Sequence, residues 1–338
     1  MLETLQIVWF VLIAVLFTGF FFFEGFDYGV GMLLPIVKDE SERDQLIRSI
    51  APVWDGNEVW MITAGGAMFA AFPHVYATMF SAFYLALFLM LVALILRGIA
   101  FELRGKIDSK TWKTRWEWAI AFGSYIPAFL WGVVVADLML GLPIVKGFQF
   151  SGTFLDLVTP AAIVGGLTFV AIFLAHGAMF ASLRMQDEKF IHKLRSMAAS
   201  FGKTAIGCCV FLLAAIWMKT SILNDKPISL VLFILAAGSL FFALKCIGDI
   251  NDRLAFFSGS IAIIFFTTAV FTGIFPNLMS SSLSSDWSLT IYNASSTEHT
   301  LKLMTIAAGV FVPIVLIYQG FTYWIFRKRI SIVNDSSH

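Results

Sequence analysis

Two pairs of carboxylates and a single guanidinium stand in stretches of this sequence that are otherwise apolar. Glu24 and Asp27 lie three apart in Glu24-Gly-Phe-Asp27-Tyr28-Gly-Val-Gly31, and Asp55 and Glu58 lie three apart in Pro52-Val-Trp54-Asp55-Gly56-Asn57-Glu58-Val-Trp60. On a helix that spacing puts both members of a pair on one face. Arg97 follows in a third apolar run, with Glu102 nearer its end. Four carboxylates sharing a low-dielectric site with one guanidinium cannot all be ionised, so at least one holds an exchangeable proton. That is the chemistry of a proton relay. Two plainer readings stand beside it: Asp55 and Glu58 complement the positive end of a helix begun by Pro52, with Arg97 as an ordinary salt-bridge partner, or the acids hold a cation.

The elements that must position these groups are membrane helices. Hydrophobic residues make up 59% of 338 positions and charged residues 13%, against roughly 25% charged in a soluble domain. Runs of about 20 mainly apolar residues, enough to cross the hydrocarbon layer, recur nine times. They cover 7–35, 52–73, 77–102, 117–141, 156–182, 203–222, 228–247, 255–275 and 302–326. Runs such as Phe80 to Leu96 are apolar on nearly every side, which excludes the alternation of a membrane barrel. The first run is too long, and too acidic at its far end, for a cleavable signal. No nucleotide-binding pattern is present: Gly29-Val-Gly31 ends a span instead of following a strand. Energy coupling must therefore come from ions, electrons or a partner chain, and no nucleic-acid partner is expected.

Charge gives the runs a direction. Of the 23 lysines and arginines, 18 fall in alternate connections and the C-terminal tail, from Lys38, Arg43 and Arg48 to Arg327, Lys328 and Arg329. The opposite side holds only Lys146, Lys219, Lys226 and Lys302. The positive-inside rule then puts the N-terminus outside and the C-terminus in the cytoplasm, which requires an odd number of spans. In that orientation Glu24, Asp27, Asp55, Glu58 and Arg97 all lie in the cytoplasmic half, at an entrance for protons. Trp54, Trp60, Trp112, Trp116, Trp118 and Trp324 fall near the same boundary, as an aromatic belt does.

The remaining polar residues are weaker signals. Asp137 and His74 fall near outer helix ends, where the interface can hydrate them. His176, followed by Met179, is deep in a span and is a conceivable haem ligand, but His192, His299 and His338 lie in loops or the tail and supply no second one. Cys208, Cys209 and Cys246 show no metal or disulfide spacing and read as small buried apolar residues. Gly25 with Gly29, and Gly65-Gly66, read as close helix packing.

Four stretches carry a resemblance. GFDYGVGMLLP at 25–35, SIAPVWDGNEVWMITAGGAMFAAFP at 49–73, FSAFYLALFLMLVALILRGIAFELR at 80–104 and WEWAIAFGSYIPAFLWGVVVADLMLG at 116–141 resemble subunit II of cytochrome bd-type quinol oxidases. The likeness is strongest over the first 180 residues or so. It implies an all-α integral membrane protein of about nine transmembrane helices, as two four-helix bundles plus one peripheral helix. On that plan residues 1–338 form one polytopic membrane domain, with a first bundle over about 1–141, a second over about 156–275 and the peripheral helix over about 302–326.

The resemblance also implies a larger subunit I that carries the quinol site and haems b and d, where dioxygen is reduced to water. This chain would bind no haem or metal, hold no catalytic residue, stabilise the complex and supply a cytoplasmic proton route. The complex would be electrogenic by vectorial chemistry, in a bacterial cytoplasmic membrane, with lipid and a small single-span accessory subunit as further neighbours. Asp55, beside Trp54, matches the acid of the family's WDG stretch and Asp27 that of its GFD stretch; Glu24, Glu58 and Arg97 are carried over as pathway or pairing residues. From other classes, a stand-alone proton-coupled secondary transporter would show internal repeats with broken helices at the midplane. A scaffold would use its acids for structure only.

Overall fold

The computed structural model describes residues 1–330; His338 lies outside them. The helices in chain order are α1 (Leu2–Leu33), α2 (Glu40–Ile50), α3 (Trp54–Ala71), α4 (Pro73–Ala82), α5 (Tyr84–Leu103), α6 (Lys110–Leu140), α7 (Phe154–Leu157), α8 (Pro160–Arg184), α9 (Glu188–Lys219), α10 (Ile222–Asp225), α11 (Pro227–Gly248), α12 (Asp252–Ile274) and α13 (Glu298–Ile325). Among the described residues, eight helices are long and apolar enough to cross a membrane: α1, α5, α6, α8, α9, α11, α12 and α13. The expected span over 52–73 is α3, whose first turns carry Asp55, Asn57 and Glu58 and so dilute its hydropathy.

Hydropathy misplaced several boundaries. The expected span over 77–102 is two helices, because α4 starts on Pro73 and Phe83 leaves helical geometry (φ −97°, ψ 21°) with its ring buried. The helix expected over 203–222 begins at Glu188, capped by the Asp187 carboxylate on the Lys189 amide. Its first turns are too polar for a hydropathy window, yet Phe190, Ile191, Leu194 and Ala198 recur at helical spacing and are buried. The connection over 276–301 is folded. It forms an antiparallel pair of short strands, β3 (Asn277–Met279) with β4 (Leu289–Thr290), in an order where β1 (Ile144–Val145) and β2 (Gln149–Phe150) make the earlier pair. Leu142 bridges to Ser281, which joins the two connections at the end of the molecule remote from α2.

α1 runs through the middle and packs against α3, α6, α8, α12 and α13. Its aromatic stripe meets Trp131 of α6, Phe169 of α8 and Phe271 of α12, with Phe17 to Trp131 at 5.5 Å and Phe21 to Phe169 at 5.0 Å between ring centroids. Where α1 crosses α8 the backbones touch: a Cβ on Gly29 would stand 1.9 Å from the Phe173 carbonyl oxygen and 2.8 Å from the Gly177 Cα. Close packing at Gly29 is thus as expected. Gly65 and Gly66 are different, since a Cβ on either would meet nothing within 4 Å in this chain. Cys246 is buried but Cys208 and Cys209 are only partly so, and all three thiols are free.

α2 is an amphipathic helix across the basic end. It buries Leu46, Ile47 and Ile50 and is tied down by ion pairs: Arg43 to Glu117 at 2.7 Å, Asp44 to Arg104, Arg104 to Glu117 at 2.6 Å and Glu42 to Lys193. Asp39 caps it, accepting from the Ser41 and Glu42 amides at 2.9 and 3.1 Å. The bond from the Ser41 hydroxyl, with the Glu42 amide behind it, holds the Asp39 carboxyl below its usual range. Because the folded value is the depressed one, the cap stabilises the helix above the unfolded carboxyl pKa of about 3.9 and is lost as pH falls through the lower folded value. Asp39→Ala is expected to remove about 1 kcal/mol of local stability at neutral pH. Faster hydrogen exchange at the amides of residues 41–43 would register it.

Candidate functional site

Arg97, fully buried on α5, gathers the acids of two other helices. Its Nη2 pairs with Asp27 Oδ1 of α1, its Nη1 donates to Glu58 Oε1 of α3 at 3.0 Å, and Glu24 Oε2 of α1 lies 3.8 Å from Nη1. Its Nε donates to Ser124 Oγ of α6 at 3.2 Å. The aromatic faces of Tyr28 and Phe101 lie 5.0 and 5.3 Å from the guanidinium carbon and add cation–π attraction. Four helices thus meet on one side chain. Gly123 of α6 makes room, since a Cβ there would stand 2.5 Å from Arg97 Cβ and 2.7 Å from the Ala93 carbonyl.

The acids are not equivalent. Asp27 is buried and doubly satisfied: Arg97 holds one oxygen and Asn57 Nδ2 donates to the other at 2.9 Å. Glu24 is fully buried, and neither of its oxygens has a hydrogen-bond donor. Glu58 is partly exposed, with a side chain 15% accessible. If all three were ionised the buried site would carry two uncompensated negative charges, which a low-dielectric interior does not hold. The site must therefore keep at least one proton.

Asp55 corrects the expected foursome. It is exposed and makes no ion pair with Arg97, because it lies one turn outward of Glu58 on α3, in the first turn of that helix. Trp54 stacks on Phe101 at 5.2 Å and 21°, against the same stretch of α5 that carries Arg97. Glu102 is exposed. Asn57, Tyr28 and Ser124 belong to the site although they carry no charge that marked them in the sequence. Asn57 did leave one signal. With Ala64, Met68 and Ala71 it lies on the single buried stripe of α3.

Asp137 is not hydrated at an interface as expected; only 3% of it is accessible and its Oδ2 has no partner. His74 is exposed. His176 stacks flat on Phe256, at 4.9 Å and 3°, with Nε2 3.3 Å from the Phe22 carbonyl oxygen. The apolar cavity beside it, which Met179 and Cys209 help to line, measures about 40 Å³. That is space for about three waters at most, not a macrocycle, so these residues do not fit a haem. No group of three or more His, Cys, Asp and Glu among the described residues is arranged to hold a metal ion.

Comparison with known proteins shows the family and the fold. The family described as cytochrome bd terminal oxidase subunit II matches residues 5–326. The cytochrome bd ubiquinol oxidase subunit 2 of Bacillus subtilis (strain 168) is 38% identical, over 98% of each chain. The cytochrome bd-I ubiquinol oxidase subunit 2 of Escherichia coli (strain K12) is 34% identical, over 97% of this chain and 96% of that one. A chain in the structure of bd oxidase from Geobacillus thermodenitrificans shares the fold, with a TM-score of 0.77 at 14% identity, covering 96% of this chain and all of the other.

Proposed function

The chain belongs to the cytochrome bd terminal oxidase subunit II family, and from that premise we propose that it is the non-haem subunit of a quinol:dioxygen oxidoreductase. It works beside a larger subunit I that holds the quinol site and haems b and d, stabilises that subunit and brings cytoplasmic protons to the site where dioxygen becomes water. When bound in the partner, the haems supply the electron transfer and oxygen chemistry; this chain's residues bind, orient and pass protons. The chain lies in a bacterial cytoplasmic membrane with its N-terminus outside and its C-terminus in the cytoplasm, among lipid and with room for a small single-span accessory subunit. α3 counts as the ninth crossing: its 18 residues reach about 27 Å and lie along α1. The packing of α1 with α3 and α6, and of α5 with α6, supports a first bundle. That of α8 with α9, and of α11 with α12, supports a second. α13 is the peripheral helix, and the open Gly65-Gly66 face suits close approach of another chain's helix.

The observation that carries the proton role is the convergence of three carboxylates on one fully buried guanidinium. Asp55, exposed one turn outward, serves as the mouth, Glu58 as the next station, and Glu24 with Asp27 as the buried end; Trp54 and Arg97 hold the route in place. A scaffold would have no use for more buried acids than its cation can balance. A stand-alone transporter is not favoured for a member of this family. The test is Asp55→Asn in the purified complex: quinol-driven oxygen reduction and proton uptake are expected to slow together by about tenfold, less than for a buried carrier because Asp55 is exposed on this chain. Wild-type rates would remove Asp55 from the route.

A further inference from the structure

α13 is mostly exposed, with only Leu301 and Gln319 of its length fully buried, yet it reaches the Arg97 cluster. Tyr323 Oη donates to Asn57 Oδ1 at 2.7 Å, and Asn57 Nδ2 donates to Asp27 Oδ2 at 2.9 Å. One turn along, Trp60 Nε1 donates to Gln319 Oε1 at 2.9 Å. A carboxamide has an acceptor end and a donor end, and rotating it by half a turn exchanges them. Rotated, Asn57 would aim its carbonyl oxygen at the Asp27 carboxylate, and the fully buried pair would have two acceptors facing each other. The carboxylate thus selects the other orientation, with the amino group facing Asp27, and the phenol hydroxyl donates to the Oδ1 that this leaves facing Tyr323 and ties the carboxamide to α13.

We infer that Tyr323 is a positioning residue: through Asn57 it fixes the Asp27 carboxylate in register with Arg97, so that the peripheral helix sets the geometry of the buried acids. Tyr323 itself is not a station on the route, because the amide between it and Asp27 holds its protons and passes none. The inference rests on the proton-inlet reading above.

The test compares variants of the assembled oxidase complex, with rates normalised to the amount of assembled complex. Tyr323→Phe removes one oxygen and is expected to lower oxygen reduction about threefold to tenfold, the worth of one hydrogen bond, with the KM for quinol unchanged. In an Asn57→Ala background the same substitution is expected to have no further effect, since its intermediary is gone. Gln319→Leu, which breaks the neighbouring bond to Trp60 but leaves Asn57 alone, is expected to turn over at the wild-type rate. In infrared difference spectra the carboxylate band that Asp27→Asn abolishes should shift in Tyr323→Phe and stay in place in Gln319→Leu. Three outcomes overturn the inference: wild-type turnover in Tyr323→Phe, an equal loss in the Asn57→Ala background, or the same loss in Gln319→Leu. If Asp27→Asn itself turned over at the wild-type rate, the inlet reading would fall and this inference with it; a slow Asp27→Asn beside an unimpaired Tyr323→Phe would overturn the inference alone.

Discussion

Arg97→Gln is expected to cost the folded chain about 3–5 kcal/mol, the loss that follows when a buried ion pair keeps its anions and loses its cation. The reason is geometric. Arg97 has no accessible surface and spends its Nε on Ser124, Nη1 on Glu58 and Nη2 on Asp27. A glutamine cannot reach all three, and it leaves Asp27 and Glu24 buried without a counter-charge. The yield of assembled complex and its thermal midpoint in detergent should both fall. Arg97→Lys keeps the charge on one nitrogen and should fall between, because an ammonium cannot match a fork that addresses two helices at once. Removing the anions as well, in Arg97→Met with Asp27→Asn and Glu58→Gln, should recover much of the stability but none of the turnover. An Arg97→Gln complex as stable as wild type would mean that the cluster is hydrated and its ion pairs worth little.

How far such a site can be read from sequence depends on what kind of signal each residue leaves. Glu24, Asp27, Glu58 and Arg97 were legible because charge inside an apolar run is costly, and cost demands a partner. Asp55 was read into the same group because it shares a helix face with Glu58. One turn of α3 separates an exposed side chain from one that reaches Arg97, and spacing along a helix does not say where its buried length begins. Asn57 stands between the two acids without a charge to mark it, although the stripe through Ala64, Met68 and Ala71 points it at the core. Its tie to Tyr323 spans 266 residues and left no local trace. The fold divides in the same way. The apolar centres of the spans are legible, but α2 and the first half of α9 are amphipathic and polar enough to escape a hydropathy window, so the cap over the basic end leaves no hydropathy signal.

Glu24→Gln is expected to lower quinol-driven oxygen reduction by about 100-fold or more while leaving the amount of assembled complex unchanged. The two halves of that expectation have one source. Asp27 receives a donor on each oxygen, from Arg97 and from Asn57, and Glu58 receives Arg97 Nη1 at 3.0 Å. Glu24 receives none and stands 3.8 Å from the guanidinium. Of three carboxylates that one cation cannot balance, it is the one held least firmly as an anion, which on the proposed route makes it the carrier. A carboxamide fills the same volume without charge, so packing of α1 against α3 and α6 survives. What it cannot do is release and regain a proton, and a positioned proton carrier is worth about 100-fold to 10,000-fold in rate. Asp27→Asn should lose both properties, because it also takes the carboxylate away from Arg97. The measurement is oxygen consumption and proton uptake per assembled complex across the two variants. Glu24→Gln at the wild-type rate, with Asp27→Asn slow, would move the carrier from Glu24 to Asp27 and leave Glu24 a spectator of the ion pair beside it.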